Sequence, residues 1–437
     1  MIKLLILLYF LFSSIYWFIK FYISNKWLNQ SKKLPIANMG TLNFIIIIPV
    51  LNEGKIINDT VNYFLDLLSN FSNSKLVIVT TNKESLNVDC CTENTISILN
   101  SINHDKLIKI NYPSIDGKMA HQLNFAINYL IKNNTINNQL IGIYNADSRP
   151  KKETLNWISD NFIDNNKVFQ QYGNYFNNID SILKRKFFSK SILFSSSVWQ
   201  NRWSFGFEIF NNLKQQSFLN NNKFPLLYPF NYCIGHGLFF TKEIFLELGG
   251  FSENTHNEDA IFGMELCYRK EYIKPVPYFD YADSPNSLKG LFFQKATWFF
   301  GPSQAFLYYN ILKNDNKKDN HFRLFILSCK LFLHAIYWII GPSLLLFLFI
   351  YSFWIKNFLL FLLVYLIYLI IPNFIAWLLS KKDKKIKDIK AFIYIVIGSF
   401  FAYILHGFSA YYSILCSCYS LLTNKKIEKY KTEIIRD

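Results

Sequence analysis

The chain opens with an apolar run long enough to cross a membrane, which limits the possible folds more than any other feature. Residues 2–24, IKLLILLYFLFSSIYWFIKFYIS, are almost wholly aliphatic and aromatic, and a membrane span needs roughly 20 such residues. A cleaved signal peptide would have a shorter apolar core that ends in small residues. Residues 17–27 instead contain tryptophan, tyrosine and lysine, which anchor helices at membrane interfaces. We therefore expect residues 1–27 to form a retained transmembrane helix.

Further apolar runs lie in the last quarter of the sequence. Leu331–Trp354 and Phe358–Leu379 each have the length of a membrane span. Residues 391–423 are also apolar, and their length suits either one long helix or a helical hairpin. We expect a transmembrane region over 324–423 and a basic tail over 424–437.

Basic segments set the expected orientation in the membrane. Segment 380–390, SKKDKKIKDIK, contains six lysines, and segment 313–323 is also basic. By the positive-inside rule, such segments stay in the cytoplasm. We therefore expect the domain over 42–320 to be cytoplasmic, at a bacterial-type inner membrane. The formal charge of +16 suits an anionic membrane surface or substrate. We expect no nucleic-acid partner, because no basic motif of a nucleic-acid-binding module is present.

The domain over 42–320 has the alternating pattern of an α/β fold. The runs FIIIIPV (44–50) and KLVIVTT (75–81) are rich in β-branched residues, like parallel strands that are covered on both faces. Residues 55–68 between them have apolar side chains at helical spacing, so the three segments predict a strand–helix–strand unit. The pattern continues in segments 106–113, 118–131 and 140–147.

Polar residues follow the first and fourth predicted strands. Pro49, Asn52 and Glu53 come at the end of the first, and Asn145 and Asp147 at the end of the fourth. They fit ordinary loops, with Asp147 as a helix cap. They also fit a ligand site, because open α/β sheets bind ligands at the carboxyl ends of strands. A carboxylate there can hold Mg²⁺ or Mn²⁺ together with substrate phosphates.

Two further motifs, one with Lys118 and Asn124 and one with Gly235, His236 and Gly237, could also contact a ligand. Lys118 could approach a diphosphate or a nucleobase, and Asn124 lies near the same face of the following helix. Alternatively, Lys118 could be a solvated lysine at the start of that helix. Gly235 and Gly237 flank His236 and allow the backbone to pack closely against a ligand.

Two pairs of residues near the end of the domain could act on a sugar. Glu258 and Asp259 precede a predicted helix, where a carboxylate could cap the helix or take a proton from a sugar hydroxyl. Gln294 and Trp298 are four residues apart, so a helix near 288–310 would place them on one face. The tryptophan could stack on a sugar, anchor the helix at the membrane interface, or do both.

The order of these short motifs is more specific than any one of them. P-x-x-N-E, G-K-x-x-x-x-x-N, N-A-D at a strand end, G-H-G, N-E-D and Q-x-x-x-W follow one another over residues 44–300. This series resembles the membrane-bound glycosyltransferases of family two, whose processive members include cellulose synthase and hyaluronan synthase. The resemblance implies a GT-A fold: a Rossmann-like nucleotide-sugar-binding domain, inserted here between transmembrane helices.

The resemblance also implies roles for individual residues. Asp147 would hold Mg²⁺ or Mn²⁺, and Asp259, beside Glu258, would be the catalytic base. The implied donor-binding residues are Pro49, Asn52, Glu53, Lys118, Asn124, Asn145 and Asp147. The implied acceptor-binding residues are Gly235, His236, Gly237, Gln294 and Trp298.

Three departures from the family pattern bear on substrate and activity. Asn145 replaces the first aspartate of D-x-D, the strand end at residues 80–82 lacks the aspartate that meets the uracil, and Thr297 stands where an arginine usually precedes the tryptophan. The first two bear on the donor, and the third on processivity.

We therefore expect an inverting glycosyltransferase that uses a nucleotide-diphosphate sugar, with a UDP-sugar as the favoured donor. Its acceptor would be a glycan or a lipid-linked molecule in polysaccharide or glycoconjugate synthesis, and partner proteins for synthesis or export would fit this role. The departures motivate an alternative: a catalytically inactive subunit that binds a nucleotide sugar or scaffolds a polysaccharide synthesis complex.

Overall fold

The computed structural model describes residues 2–32, 42–87, 94–136, 139–162, 166–218, 228–315, 321–381 and 386–423. The predicted basic tail, 424–437, lies outside these ranges.

Strands and helices alternate through the first half of the described chain, and helices dominate the second. The strands are β1 (Phe44–Pro49), β2 (Lys75–Thr81), β3 (Leu107–Tyr112), β4 (Leu140–Ile143), β5 (Val168–Gln170), β6 (Gly173–Asn174), β7 (Leu238–Phe240), β8 (Ile273–Pro275) and β9 (Asp280–Tyr281). The helices are α1 (Ile2–Ser31), α2 (Gly54–Leu67), α3 (Thr95–Ser101), α4 (Met119–Lys132), α5 (Lys152–Asn161), α6 (Ile179–Leu183), α7 (Phe187–Trp203), α8 (Phe210–Phe218), α9 (Lys242–Glu247), α10 (Glu258–Arg269), α11 (Leu288–Ser303), α12 (Ala305–Asp315), α13 (His321–Trp354), α14 (Leu359–Tyr365), α15 (Ile371–Ser380) and α16 (Asp388–Thr423). Wider π-helical turns, Ser204–Ile209 and Leu366–Ile370, join α7 to α8 and α14 to α15.

A seven-stranded sheet with the order β3-β2-β1-β4-β7-β5-β8 forms the centre of the domain. The first four strands are parallel, as predicted: β1 pairs with β2 and β4, and β2 pairs with β3. The sequence did not predict β7, which is antiparallel to both β4 and β5. Because β7 runs in the opposite direction, its first residue lies beside the last residue of β4. The Gly-His-Gly motif before β7 is thereby brought next to Asp147.

Two cores cover the faces of this sheet, which explains why β1 is apolar at every position. Phe44, Ile46 and Ile48 pack into one core, and Ile45 and Ile47 pack into the other. All five side chains are fully buried. Helix α2 contributes to the first core and α4 to the second, so the sheet is covered on both sides as in other α/β folds.

Among the described residues, four helices are long and apolar enough to cross a membrane, by length and composition: Leu4–Ser31, His321–Trp354, Leu359–Ser380 and Asp388–Ser420. The last of them belongs to α16, which is one continuous helix, so the long-helix alternative for residues 391–423 is the one observed.

These long apolar helices pack directly on the α/β domain. The side-chain amide of Asn174 donates to the carbonyl oxygen of Ser380 over 2.7 Å, which ties the end of α15 to β6. Helix α7 packs closely against α16, where a Cβ on Gly398 would lie 1.9 Å from the carbonyl oxygen of Ser191. The last residue of α15 therefore lies beside the α/β domain.

Candidate functional site

Strand β4 ends in a turn that presents a carboxylate. The N–H of Ser148 donates to the carbonyl oxygen of Asn145 over 3.1 Å and closes this turn. Helix α5 begins only at Lys152, with Lys151 at its N-cap position, so Asp147 is not the cap of this helix. Its Oδ2 instead accepts a hydrogen bond of 3.3 Å from the N–H of Asp283, in the segment after β9.

Asp147 lies among other acidic side chains. Burial and the nearby charges of Asp283 and Asp280 raise the pKa of Asp147 to about 6, against a smaller opposing effect from His236 and the hydrogen bond from Asp283. Confining carboxylates together in this way is unfavourable unless a cation or a proton is present. The site therefore has the electrostatic character of a place for a positive charge.

His236 is held beside this acidic group by a buried partner. Its Nδ1 lies 3.0 Å from Oδ2 of Asp280, and both side chains are buried. Burial alone would lower the pKa of His236, but the hydrogen bond to Asp280 and the charges of Asp280, Asp147 and Glu208 together raise it. Asp280 also accepts from the N–H of Arg149 over 2.7 Å, so it fixes both the histidine and the turn after β4.

A cavity of about 380 Å³ opens beside this turn and brings several predicted motifs together. The predicted residues on its wall are Asn145, Asp147, Gly235, His236, Glu258, Asp259, Gln294 and Trp298. The predicted residues that are not on this wall are Pro49, Asn52, Glu53, Lys118, Asn124 and Gly237. The cavity continues past Trp298 to α13 and α16, where Trp338 and His406 contribute to its wall.

Glu258 and Asp259 occupy the first turn of α10, after Asn257 at the N-cap position. Negative charge is favourable there because the helix dipole is positive at its N-terminus. Oδ1 of Asp259 accepts from the N–H of Ala260 over 2.8 Å. Gly235 allows this carboxylate to approach the backbone, since a Cβ at that position would lie 3.3 Å from Oδ2 of Asp259.

Lys118 and Asn124 hold the segment that leads into α10. Nζ of Lys118 donates to the carbonyl oxygen of Thr255 over 2.9 Å. The side-chain amide of Asn124 both donates to the carbonyl oxygen and accepts from the N–H of Phe251, each over 2.8 Å. In this structure the two residues thus connect α4 to the segment before Asp259.

Pro49, Asn52 and Glu53 lie at the carboxyl end of β1, next to β4. Asn52 has a φ of 54°, in the left-handed region that asparagine tolerates better than most residues. The N–H of Glu53 donates to Oγ1 of Thr95 over 2.8 Å. These contacts shape the turn into α2 at the same edge of the sheet as Asp147.

Gln294 and Trp298 share a face of α11, as predicted, and that face borders the cavity. Nζ of Lys295, a residue that the sequence did not single out, lies 3.9 Å from the centroid of the Trp298 ring and donates to Oε1 of Gln200 over 2.9 Å. Burial lowers the pKa of Lys295 to about 7. The Lys295 amine therefore lies against Trp298, although Thr297 occupies the usual arginine position.

Asp280, Asp283 and Glu208 are further residues near the site that sequence reasoning missed. Each depends on contacts between distant parts of the chain, so local spacing could not reveal it. The only available sign was the acidic pair in DYAD, residues 280–283, a few residues before the Q-x-x-x-W helix.

The sequence model of the family described as "Glycosyl transferase family group 2" matches residues 145–381, which is 237 of the 437 residues. The chain belongs to this family. The match starts at the turn after β4 and runs through α10 and α11 to the end of α15. This protein is accordingly a glycosyltransferase, and its mixed seven-stranded sheet is the GT-A fold flanked by long apolar helices.

Solved structures that match this chain include the mannosyltransferase PcManGT from Pyrobaculum calidifontis, in complex with GDP-Man and Mn²⁺. It is 13% identical to this glycosyltransferase, with 98% of this chain and 100% of that chain covered and a TM-score of 0.47. S. aureus TarS 1-349 is 17% identical to this glycosyltransferase, with 60% of this chain and 65% of that chain covered and a TM-score of 0.33. No curated protein sequence matches this glycosyltransferase.

Proposed function

We propose that this glycosyltransferase is an inverting enzyme that transfers a sugar from a nucleotide-diphosphate sugar, a UDP-sugar, to a glycan or lipid-linked acceptor. One observation supports this most: Asp147, Asp259 and Trp298, drawn from three separate motifs, line the same cavity. A strand-end carboxylate, a candidate base and an aromatic platform are the three groups that such a transfer requires.

The residues around Asp147 fit a divalent cation shared with a diphosphate. Asp147 and Asp283 lie together on the cavity wall and offer the oxygen ligands that Mg²⁺ and Mn²⁺ accept. Within the described ranges, no group of three or more His, Cys, Asp or Glu side chains is arranged as a complete metal site. Two protein carboxylates with diphosphate oxygens are the usual way in which Mg²⁺ is held. The cation would offset the negative charge that develops on the departing nucleoside diphosphate.

Asp259 is proposed to take the proton from the acceptor hydroxyl. The hydroxyl oxygen then bonds to the anomeric carbon as the bond to the diphosphate breaks, so one in-line displacement inverts the configuration. Asp259 is a better candidate than Glu258, because Glu258 is buried whereas Asp259 is partly exposed at the cavity wall. Gly235 gives it space on one side.

We also propose that the catalytic domain lies at the cytoplasmic face of a bacterial-type inner membrane. The bond from Asn174 to Ser380 supports this, because it places the start of the lysine-rich loop at the domain side. Such a loop is retained in the cytoplasm.

A donor-hydrolysis assay tests the proposed reaction. The purified full-length protein should release nucleoside diphosphate from at least one member of a panel of UDP- and GDP-sugars when Mn²⁺ is present. Chelator should abolish the release, and an Asp259→Asn control should bind the same donor without transfer to an acceptor. If no donor in the panel is turned over but one is bound, the protein is the inactive, nucleotide-sugar-binding subunit instead.

A further inference from the structure

The cavity extends beyond the catalytic motifs, and its far wall contains a buried carboxyl group that the reaction described above does not use. Glu208 lies on this wall and is only 3% exposed. It belongs to the π-helical turn Ser204–Ile209, a departure from regular α-helix that often occurs at functional sites. The wider turn sets Glu208 between the sheet domain and the apolar helices.

One half of the Glu208 carboxyl group is held in place. Its Oε1 accepts from the hydroxyl of Tyr232 over 3.1 Å, and that hydroxyl accepts from Nε1 of Trp203 over 2.6 Å. The described residues provide no hydrogen-bond partner for Oε2. A buried oxygen without a partner is unfavourable, and a bound molecule with a hydroxyl donor would relieve this cost.

A second unpaired polar atom lies on the same wall. Within the described chain, Nδ1 of His406 is buried and has no hydrogen-bond partner. The imidazole stacks on Trp338 with ring centroids 4.1 Å apart and an angle of 2° between the planes. The wall thus combines flat aromatic faces with a hydrogen-bond acceptor at Glu208 and an imidazole nitrogen at His406.

These groups match the chemistry of a neutral saccharide. Its hydroxyls both donate and accept, and its C–H faces pack on aromatic rings. A lipid phosphate fits poorly, since a carboxylate on the wall would repel it, and a hydrocarbon chain would leave Glu208 and His406 without partners.

We propose that Glu208 and His406, with the aromatic rings beside them, form a saccharide subsite that selects the acceptor. This proposal rests on the proposed function, because it places a carbohydrate acceptor in the cavity that Asp259 lines. It identifies the end of the acceptor nearest the spanning helices as a neutral oligosaccharide.

Binding measurements test the subsite without requiring turnover. Purified full-length protein in detergent is titrated with mannotriose, cellotriose and chitotriose, and separately with farnesyl phosphate, while tryptophan fluorescence is followed. At least one trisaccharide should quench the fluorescence. Its Kd should rise about tenfold in Glu208→Leu, as expected for the loss of a hydrogen bond to a carboxylate, and less in Glu208→Gln.

The chain offers a matched control in Glu84. This glutamate is 4% exposed, accepts one hydrogen bond from the N–H of Thr95, and has no partner for Oε2 in the described chain, but it is not on the cavity wall. Glu84→Gln should bind the trisaccharide like the wild type. His406→Phe, which can keep the stack on Trp338, should weaken binding and provides a second test if Glu208→Leu does not fold.

Three results would overturn the subsite. The first is that none of the three trisaccharides quenches the fluorescence. The second is that the wild type, Glu208→Gln and His406→Phe bind the trisaccharide with equal affinity. The third is that only farnesyl phosphate gives a response that depends on Glu208. Failure of the proposed reaction is distinguishable, because it would appear as lost donor hydrolysis in water while trisaccharide binding to the wild type persists.

Discussion

The backbone N–H of Asp283 donates a hydrogen bond to Oδ2 of Asp147 over 3.3 Å, although the two residues are 136 positions apart in the chain. This contact joins the turn after β4 to the segment that leads into α11. It also brings a second carboxylate to the strand end at which Asn145 replaces the usual first aspartate. We infer that Asp283 compensates for that replacement in holding a cation.

Removing either carboxylate should weaken cation binding. Asp147→Ala should abolish Mn²⁺ binding in the presence of UDP, and Asp283→Asn should weaken it about tenfold or more, because each removes a charged oxygen ligand. Electron paramagnetic resonance of free Mn²⁺ measures this without turnover. Asp66→Asn, which alters an exposed ion pair with Lys152, should have no effect. Unchanged Mn²⁺ affinity in Asp283→Asn would show that Asp283 only positions Asp147.

Asp259→Asn should lower the rate of sugar transfer by about 10²–10⁴-fold, the usual contribution of a general base. Donor affinity should stay within a few-fold of the wild type, because the shape of the side chain is retained. Transfer kinetics and donor binding by calorimetry test both statements, with Asp105→Asn, an exposed aspartate, as the control. Near-wild-type turnover in Asp259→Asn would show that Asp259 is not the base and only stabilises the first turn of α10.

Trp298→Ala should raise the acceptor KM about five-fold and leave donor hydrolysis in water nearly unchanged, because aromatic stacking contributes on the order of 1 kcal/mol. Lys295→Met should cause part of the same effect, since Nζ of Lys295 lies 3.9 Å from the Trp298 ring. Trp354→Ala is a matched control, because Trp354 ends α13 and is 86% exposed. If folded Trp298→Ala has a normal acceptor KM, Trp298 serves to anchor α11 in the membrane.

The acceptor KM should fall as the pH rises through 7 in the wild type but change less in Glu208→Gln. Burial raises the pKa of Glu208 to about 7, opposed in part by the hydrogen bond from Tyr232 and by the nearby charges of His236 and Lys295. Glu208 is therefore protonated below that pH and ionised above it, and the ionised form is the stronger hydrogen-bond acceptor.

Lys295, near Glu208, has a pKa of about 7, and the charge of His236 also acts on Glu208, so the test depends on comparing the wild type with the variant. His236 and Lys295 both interact electrostatically with Glu208, and Tyr172 and Tyr232 contact it through hydrogen bonds. Acceptor KM is measured from pH 6 to 8 in the wild type and in Glu208→Gln. Identical pH profiles would show that the group that titrates is not Glu208.

A cysteine placed at Lys387 should not react with a membrane-impermeant maleimide added to intact cells, because Lys387 follows α15, whose last residue, Ser380, is bound to Asn174 of the domain that we propose to be cytoplasmic. A cysteine at Asn357, in the turn between α13 and α14, should react from outside. Both are introduced into a variant without native cysteines. Labelling at Lys387 and protection at Asn357 would reverse the proposed orientation.

Local patterns in the sequence determined the first four strands and the long apolar helices. The continuous β-branched run of β1 predicted a strand that is buried on both faces, and Ile45 and Ile46 indeed pack into opposite cores. The apolar runs at both ends predicted helices of spanning length, and four such helices are present in the described chain. These features could be predicted because periodicity and length depend on residues that are close in sequence.

Tertiary structure alone decided which side chains meet. The antiparallel insertion of β7 between β4 and β5 sets His236 beside Asp280 and Asp147. The same packing directs Lys118 to the carbonyl oxygen of Thr255, although the local pattern had suggested a contact with the donor. Such contacts join residues that are dozens to more than a hundred positions apart. Their free energy depends on burial and charge in the assembled site, which sequence spacing does not encode.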